Sequence, residues 1–206
     1  MSFSLSPYKI ILCSILLLGV GLSGCAHNEP YNQHLDESWQ PPTFKDYYKS
    51  VRKQTHRQQK YNGFYNQFDL SITNLTENIL IKQLKLEAHK SQWKPEQANK
   101  KLKALDESLN HESKFFVSVF TPKSDDNKLD MKSAGWVAIL YFDGERFDGH
   151  FQATSKNAHS LKLYYPDHNI WSKGFILTFP VPAKELMGKS FQVKFSNPYG
   201  EAVFQY

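Results

Sequence analysis

The stretch GWVAILYFDGERFDGHF, Gly135–Phe151, decides how this chain folds. Two aromatic and β-branched runs flank Asp143-Gly144. An Asp-Gly pair in that setting is the strongest short signal for a β-hairpin, because glycine accepts the positive φ that the favoured two-residue turns need. Such a loop sets the register: Tyr141 opposite Arg146, Leu140 opposite Phe147 and, further out, Trp136 opposite Phe151. Side chains alternate along strands, so Trp136, Leu140, Phe147 and Phe151 share an apolar face. Arg146, Asp148 and His150 fall on the other. Asp143, Glu145, Asp148 and His150 lie within eight residues and have the residue types of a metal or hydrolytic centre. The alternation gives them plainer uses: Asp143 makes the turn and Arg146 can pair with Asp148. No metal or catalytic role is expected.

The same texture continues on both sides. FFVSVFTP, SLKLYY, GFILTFPV, SFQVKF and EAVFQY are short aromatic or β-branched runs, punctuated by Gly, Pro, Asp and Asn. FYNQFDLSITNL, after the turn signal Asn62-Gly63, alternates with Phe68, Leu70 and Ile72 on one face. Counted together they make about eight strands, the rhythm of a sandwich or barrel. Between them lies a helical stretch. Asn74 with Glu77 opens a helix carrying Ile79, Leu80, Leu84 and Ala88, and Lys94-Pro95 ends it, because proline disfavours helical geometry in the residue before it. Pro95 then starts a second helix with Ala98, Leu102, Leu105 and Leu109. The pair forms an αα-hairpin over about residues 75–111.

Upstream, TFKDYYKSVRKQTHRQQK reads as a short basic helix. Thr43 and Asp46 resemble a helix-start box, and Phe44, Tyr47, Tyr48 and Val51 follow the spacing of one helical face. Lys45, Lys49, Arg52, Lys53, Arg57 and Lys60 oppose the single acid Asp46. The aromatic face would pack on the domain; the cations from Lys45 to Lys60 could also meet anionic lipid. The expected fold is therefore α+β: mainly an antiparallel β-sandwich, immunoglobulin-like or related, with an inserted αα-hairpin and a short N-terminal helix, in one domain over residues 43–206. Hydrophobic residues at 40% and aromatics at 15% suffice for such a core.

The first 42 residues differ. Lys9 precedes an 11-residue apolar run, Ile10–Val20. A membrane-spanning helix needs roughly 20 apolar residues, so this run suits a secretory signal instead. It ends at Leu22-Ser23-Gly24-Cys25. With the run before it, this motif resembles the lipobox of bacterial lipoprotein precursors. The resemblance covers the first 25 residues only. It implies that residues 1–24 are removed, that Cys25 receives a diacylglyceryl group and that its new amino terminus is acylated, with palmitate a typical chain. Ala26 follows where aspartate would signal inner-membrane retention, which implies the outer membrane. Cys13, the other of the chain's two cysteines, would leave with the signal, so no internal disulfide or multi-thiolate zinc site is expected. Ala26–Pro42 is polar, carries Pro30, Pro41 and Pro42, and reads with Cys25 as a lipidated tether over 25–42.

Other chemistry lacks a motif. Asp125, Asp126, Asn127 and Asp130 have Leu129 at the fifth position and Asp130 where a calcium loop needs glycine. The eight histidines, His168 in a turn among them, are scattered, and neither H-E-x-x-H nor G-x-S-x-G occurs. The net charge of +5 could suit nucleic acid, but an exported, tethered protein seldom meets it. The expectation is a membrane-anchored envelope protein with no cofactor and no catalytic centre, working by binding envelope proteins. The alternatives are a glycan- or lipid-binding module and, behind both, a hydrolase built on Asp148 and His150.

Overall fold

The computed structural model describes residues 37–123, 127–130 and 135–206. In chain order the elements are α1 (Phe44–Lys53), β1 (Thr55–Asn62), β2 (Tyr65–Asn74), α2 (Glu77–Lys90), α3 (Pro95–Leu109), β3 (Ser113–Phe120), β4 (Val137–Phe142), β5 (Glu145–Asp148), β6 (His150–Ala153), α4 (Ala158–Tyr164), β7 (Lys173–Phe179), α5 (Ala183–Leu186), β8 (Gln192–Asn197) and β9 (Gly200–Gln205). They form an α+β fold with two antiparallel sheets, ordered β1-β2-β3-β7-β6 and β5-β4-β8-β9.

The hairpin at Asp143-Gly144 forms with the expected register, Tyr141 opposite Arg146 and Leu140 opposite Phe147. Both turn residues have positive φ, 52° and 78°. The register does not reach Trp136 and Phe151. At Gly149 the chain leaves the four-stranded sheet, and Phe151 pairs with Leu177 of β7 in the other. The close approach needs glycine: a Cβ here would lie 2.6 Å from Leu177 Cδ1 and 2.8 Å from Phe179 Cε1. Trp136 packs edge-on against Phe68 instead, 5.5 Å between ring centroids.

Three further expectations are corrected. The basic helix stops at Lys53, so Arg57 and Lys60 of the Lys45–Lys60 stretch lie on strand β1. From Thr55 on, the backbone bonds to β2, Thr55 opposite Thr73 and Lys60 opposite Phe68. Arg57 and Gln59 both bond the Asp69 carboxylate, and the Thr55 and Thr73 hydroxyls meet at 2.8 Å. SLKLYY, read as a strand, belongs to helix α4: Asn157 caps it by accepting from the Ser160 amide at 2.9 Å, and Leu161 and Tyr164 are its buried face. Thr43 caps α1 as expected, accepting from the Asp46 amide at 3.2 Å. α2 starts later than Asn74, at the N-cap Thr76, because Asn74 still belongs to β2, opposite Phe115.

Three layers result. The sheets face each other across one apolar core that includes Leu70, Phe115, Leu177, Leu140, Val193 and Phe195. The outer face of the five-stranded sheet carries Phe116 and Ile176, covered by Tyr47 and Val51 of α1, Ile79 of α2, and Leu161 of α4. Strand β3 is therefore buried on both faces, which is why its sequence is almost continuously apolar. Tyr165 lies flat on Phe116, 3.6 Å between centroids. The helical hairpin has its own cluster of Ala88, Trp93 and Ala98, and Trp39, which the sequence places in the tether, is buried against it. On one side of the sandwich Gln58 joins edge strands β1 and β9: its side-chain amide donates to the Val203 carbonyl and its Oε1 accepts from the Val203 amide at 3.0 Å.

Candidate functional site

Of the residues that the sequence nominates for chemistry, the structure brings Asp148 and His150 to one groove. Arg146 and Asp148 pair at 2.9 Å on the surface. His150 lies one residue beyond the sheet crossing, on β6, and borders an open groove with Asp148, His111 and Glu112. Glu112 is held by Lys114 at 2.8 Å and accepts from Ser108 at 2.7 Å. No group of three potential metal ligands occurs among the described residues. Asn127 turns inward, accepting from the Thr121 amide at 2.6 Å, and Leu129 enters the core. Asp125, Asp126, Leu22, Ser23, Gly24 and Cys25 lie outside the described residues. Among the described residues no helix is long and apolar enough to cross a membrane.

Two arrangements escape sequence reasoning. The first is a buried serine–histidine pair. Ser118 Oγ lies 2.7 Å from His168 Nδ1 although fifty residues separate them. His168, read from sequence as part of a turn, is 2% exposed, and its Nε2 has no partner among the described residues. Burial pushes its pKa down to about 4. A catalytic histidine needs an orienting group on one nitrogen and the nucleophile on the other, with access for substrate. Here Phe116 closes against the ring, 5.8 Å between centroids, and both Ser118 and His168 are buried.

The second is a cavity of about 550 Å³ at one end of the sandwich. It opens where β2 ends at Asn74, β3 starts at Ser113, and Phe191 and Tyr206 flank strands β8 and β9. Tyr206 is a fixed wall. Its ring stacks on Phe191 at 4.9 Å, meets His56 edge-on at 4.5 Å, and its hydroxyl donates to the Ile72 carbonyl at 3.2 Å. Burial raises that phenol well above its ordinary range. α5 and the turn after it form the other wall, tied to the end of α3 by Lys184, whose Nζ reaches Asn110 Oδ1 at 2.8 Å. Lys53, Lys184 and Lys189 line the cavity, and among the described residues Glu77 is the one acidic side chain that does so. Ser113 sits at its base, 1% exposed, with no hydrogen-bond partner for its hydroxyl among the described residues. No base among the described residues holds that hydroxyl. Separate segments across the whole described unit build this cavity, and the only local sign in sequence is the lysine-bracketed turn AKELMGK, Ala183–Lys189.

The opposite end of the five-stranded sheet is different in kind. Phe64 at the β1–β2 turn is fully exposed, with Tyr65 79% and, just before β7, Trp171 72% exposed. Comparison of the chain with protein-family models, curated proteins and solved structures returns no match.

Proposed function

We propose that this chain is a bacterial envelope lipoprotein, anchored through Cys25 in the outer membrane and facing the periplasm, whose sandwich works by binding and not by catalysis. The location rests on Leu22-Ser23-Gly24-Cys25 behind Lys9 and the apolar run. The task rests on one observation, the end cavity of about 550 Å³, which has the size of small-ligand sites and sets polar and charged side chains beside the apolar surface of Leu109, Leu186 and Phe191. The exposed cations Lys45, Lys49 and Arg52 of α1 add attraction to anionic lipid, about 1 kcal/mol each when close to such a surface. Mass spectrometry of the mature N-terminal peptide tests the location. The expected species begins at an acylated, diacylglyceryl-modified Cys25; an unmodified thiol, or a terminus at another bond, overturns it.

A second reading has its own support. The exposed Phe64, Tyr65 and Trp171 are the large aromatic side chains that protein interfaces favour, and they fit docking to another envelope protein. A photo-crosslinking residue at position 64 or at position 187 separates the two in cells. Crosslinks to protein from position 64 alone favour the partner reading. Crosslinks to small molecules from position 187, at the cavity mouth, favour ligand binding.

A further inference from the structure

We infer that the end cavity takes a single-chain amphiphile with an anionic head, a carboxylate or a phosphate; this rests on reading the cavity as a ligand site. Its walls divide the ligand's chemistry. Leu109, Leu186, Phe191 and Tyr206 offer apolar surface for a hydrocarbon stem. The polar side carries the side-chain cations Lys53, Lys184 and Lys189 and, among the described residues, one side-chain carboxylate, Glu77. Lys184 is partly neutralised by Asp106 at 3.3 Å, and Lys189 Nζ rests 5.1 Å from the Phe142 ring centroid. Lys53 is exposed at the end of α1, and the ion pairs among the described residues do not include it.

Two neutral features point the same way. Helix α2 begins at the cavity with Thr76 as N-cap, and the Thr76 side chain makes no capping bond. Its first amides therefore present donors and the positive end of the helix dipole. Ser113 supplies a buried hydroxyl with no partner among the described residues, a group that proteins seldom leave unpaired. The groove beside His150 lacks this imbalance, because Glu112 with Lys114 and Arg146 with Asp148 are already paired.

The test uses the full-length Cys25→Ser chain, titrated with sodium decanoate below its micelle concentration, with 1-decanol, and with phosphatidylglycerol vesicles, while amide resonances of Phe191 and Tyr206 are followed. Decanoate should shift those resonances and bind about tenfold more tightly than decanol, as one charge-assisted contact implies. Lys53→Ala should remove most of that difference and Lys53→Arg should keep it. Equal binding of decanoate and decanol at the cavity overturns the anionic head while leaving the cavity a ligand site. Absence of any shift at Phe191 and Tyr206 with every probe overturns the ligand-site reading itself. A response to vesicles but not to decanoate overturns the single-chain ligand and assigns the cations to a membrane surface.

Discussion

At Gly149 the backbone passes so close to Leu177 and Phe179 that a methyl group has no room, and the Ala138 carbonyl stands 3.1 Å from where it would sit. Gly149→Ala should therefore act as overpacking and cost about 1–3 kcal/mol, read as a lowered urea midpoint with unchanged slope. His168 supplies a pH dependence. Its ordinary pKa of 6.5 in the unfolded chain falls to about 4 in the folded one. Between those values the unfolded chain binds more protons than the native state, so stability rises with pH through the window. The contribution is complete above pH 6.5 and is lost as pH falls toward 4. Its size is on the order of 3 kcal/mol. Urea midpoints measured between pH 7 and pH 4 should fall in the natural protein and fall less in His168→Gln.

At the scale of elements, β1 shows how an edge strand hides. Seven of its eight residues are exposed, so nothing forces an alternation of apolar and polar side chains, and THRQQKYN looks like the tail of a basic helix. Backbone pairing with β2 overrides that appearance. α4 hides for the opposite reason: Leu161, Tyr164 and Tyr165 are all buried, and a short apolar run does not itself distinguish strand from helix. Asn157 is the signal that would have separated them, since an N-cap residue standing just before the run favours a helix. Asn157→Ala should cost about 1 kcal/mol, measured by thermal unfolding. Gln58 does for β9 what a neighbouring strand would do, engaging both backbone groups of Val203. In Gln58→Ala the Val203 amide should lose hydrogen-exchange protection, while amides of β8, paired on its other side with β4, keep theirs.

For the whole molecule, the cavity and the exposed aromatic residues lie at opposite ends of the five-stranded sheet. Ser113 and its partner Phe179 mark the cavity end, and Lys173, paired with Val119, leads toward the end that carries Trp171 and Phe64. A ligand at one end and a partner at the other could thus be held at once. If Cys25 carries the anchor, Cys25→Ser should move the protein from the membrane fraction to the soluble one, since stable anchoring takes two or more chains. The thermal midpoint of the sandwich should not change, because its core is built from residues beyond the tether.

The local interactions were readable from the sequence alone: the Asp143-Gly144 turn and its register near the turn, the Thr43 cap, the break at Pro95, the alternation of β2, and the sandwich these imply. Each depends on residues a few positions apart, and turn geometry, capping and side-chain alternation act at that range. Tertiary structure alone decided the crossing between sheets at Gly149, the strand at Thr55–Asn62, the burial of Trp39 and His168, and the cavity that gathers Lys53, Ser113, Lys184 and Tyr206. In these, the deciding contact is with a group far along the chain, whose approach no local pattern encodes.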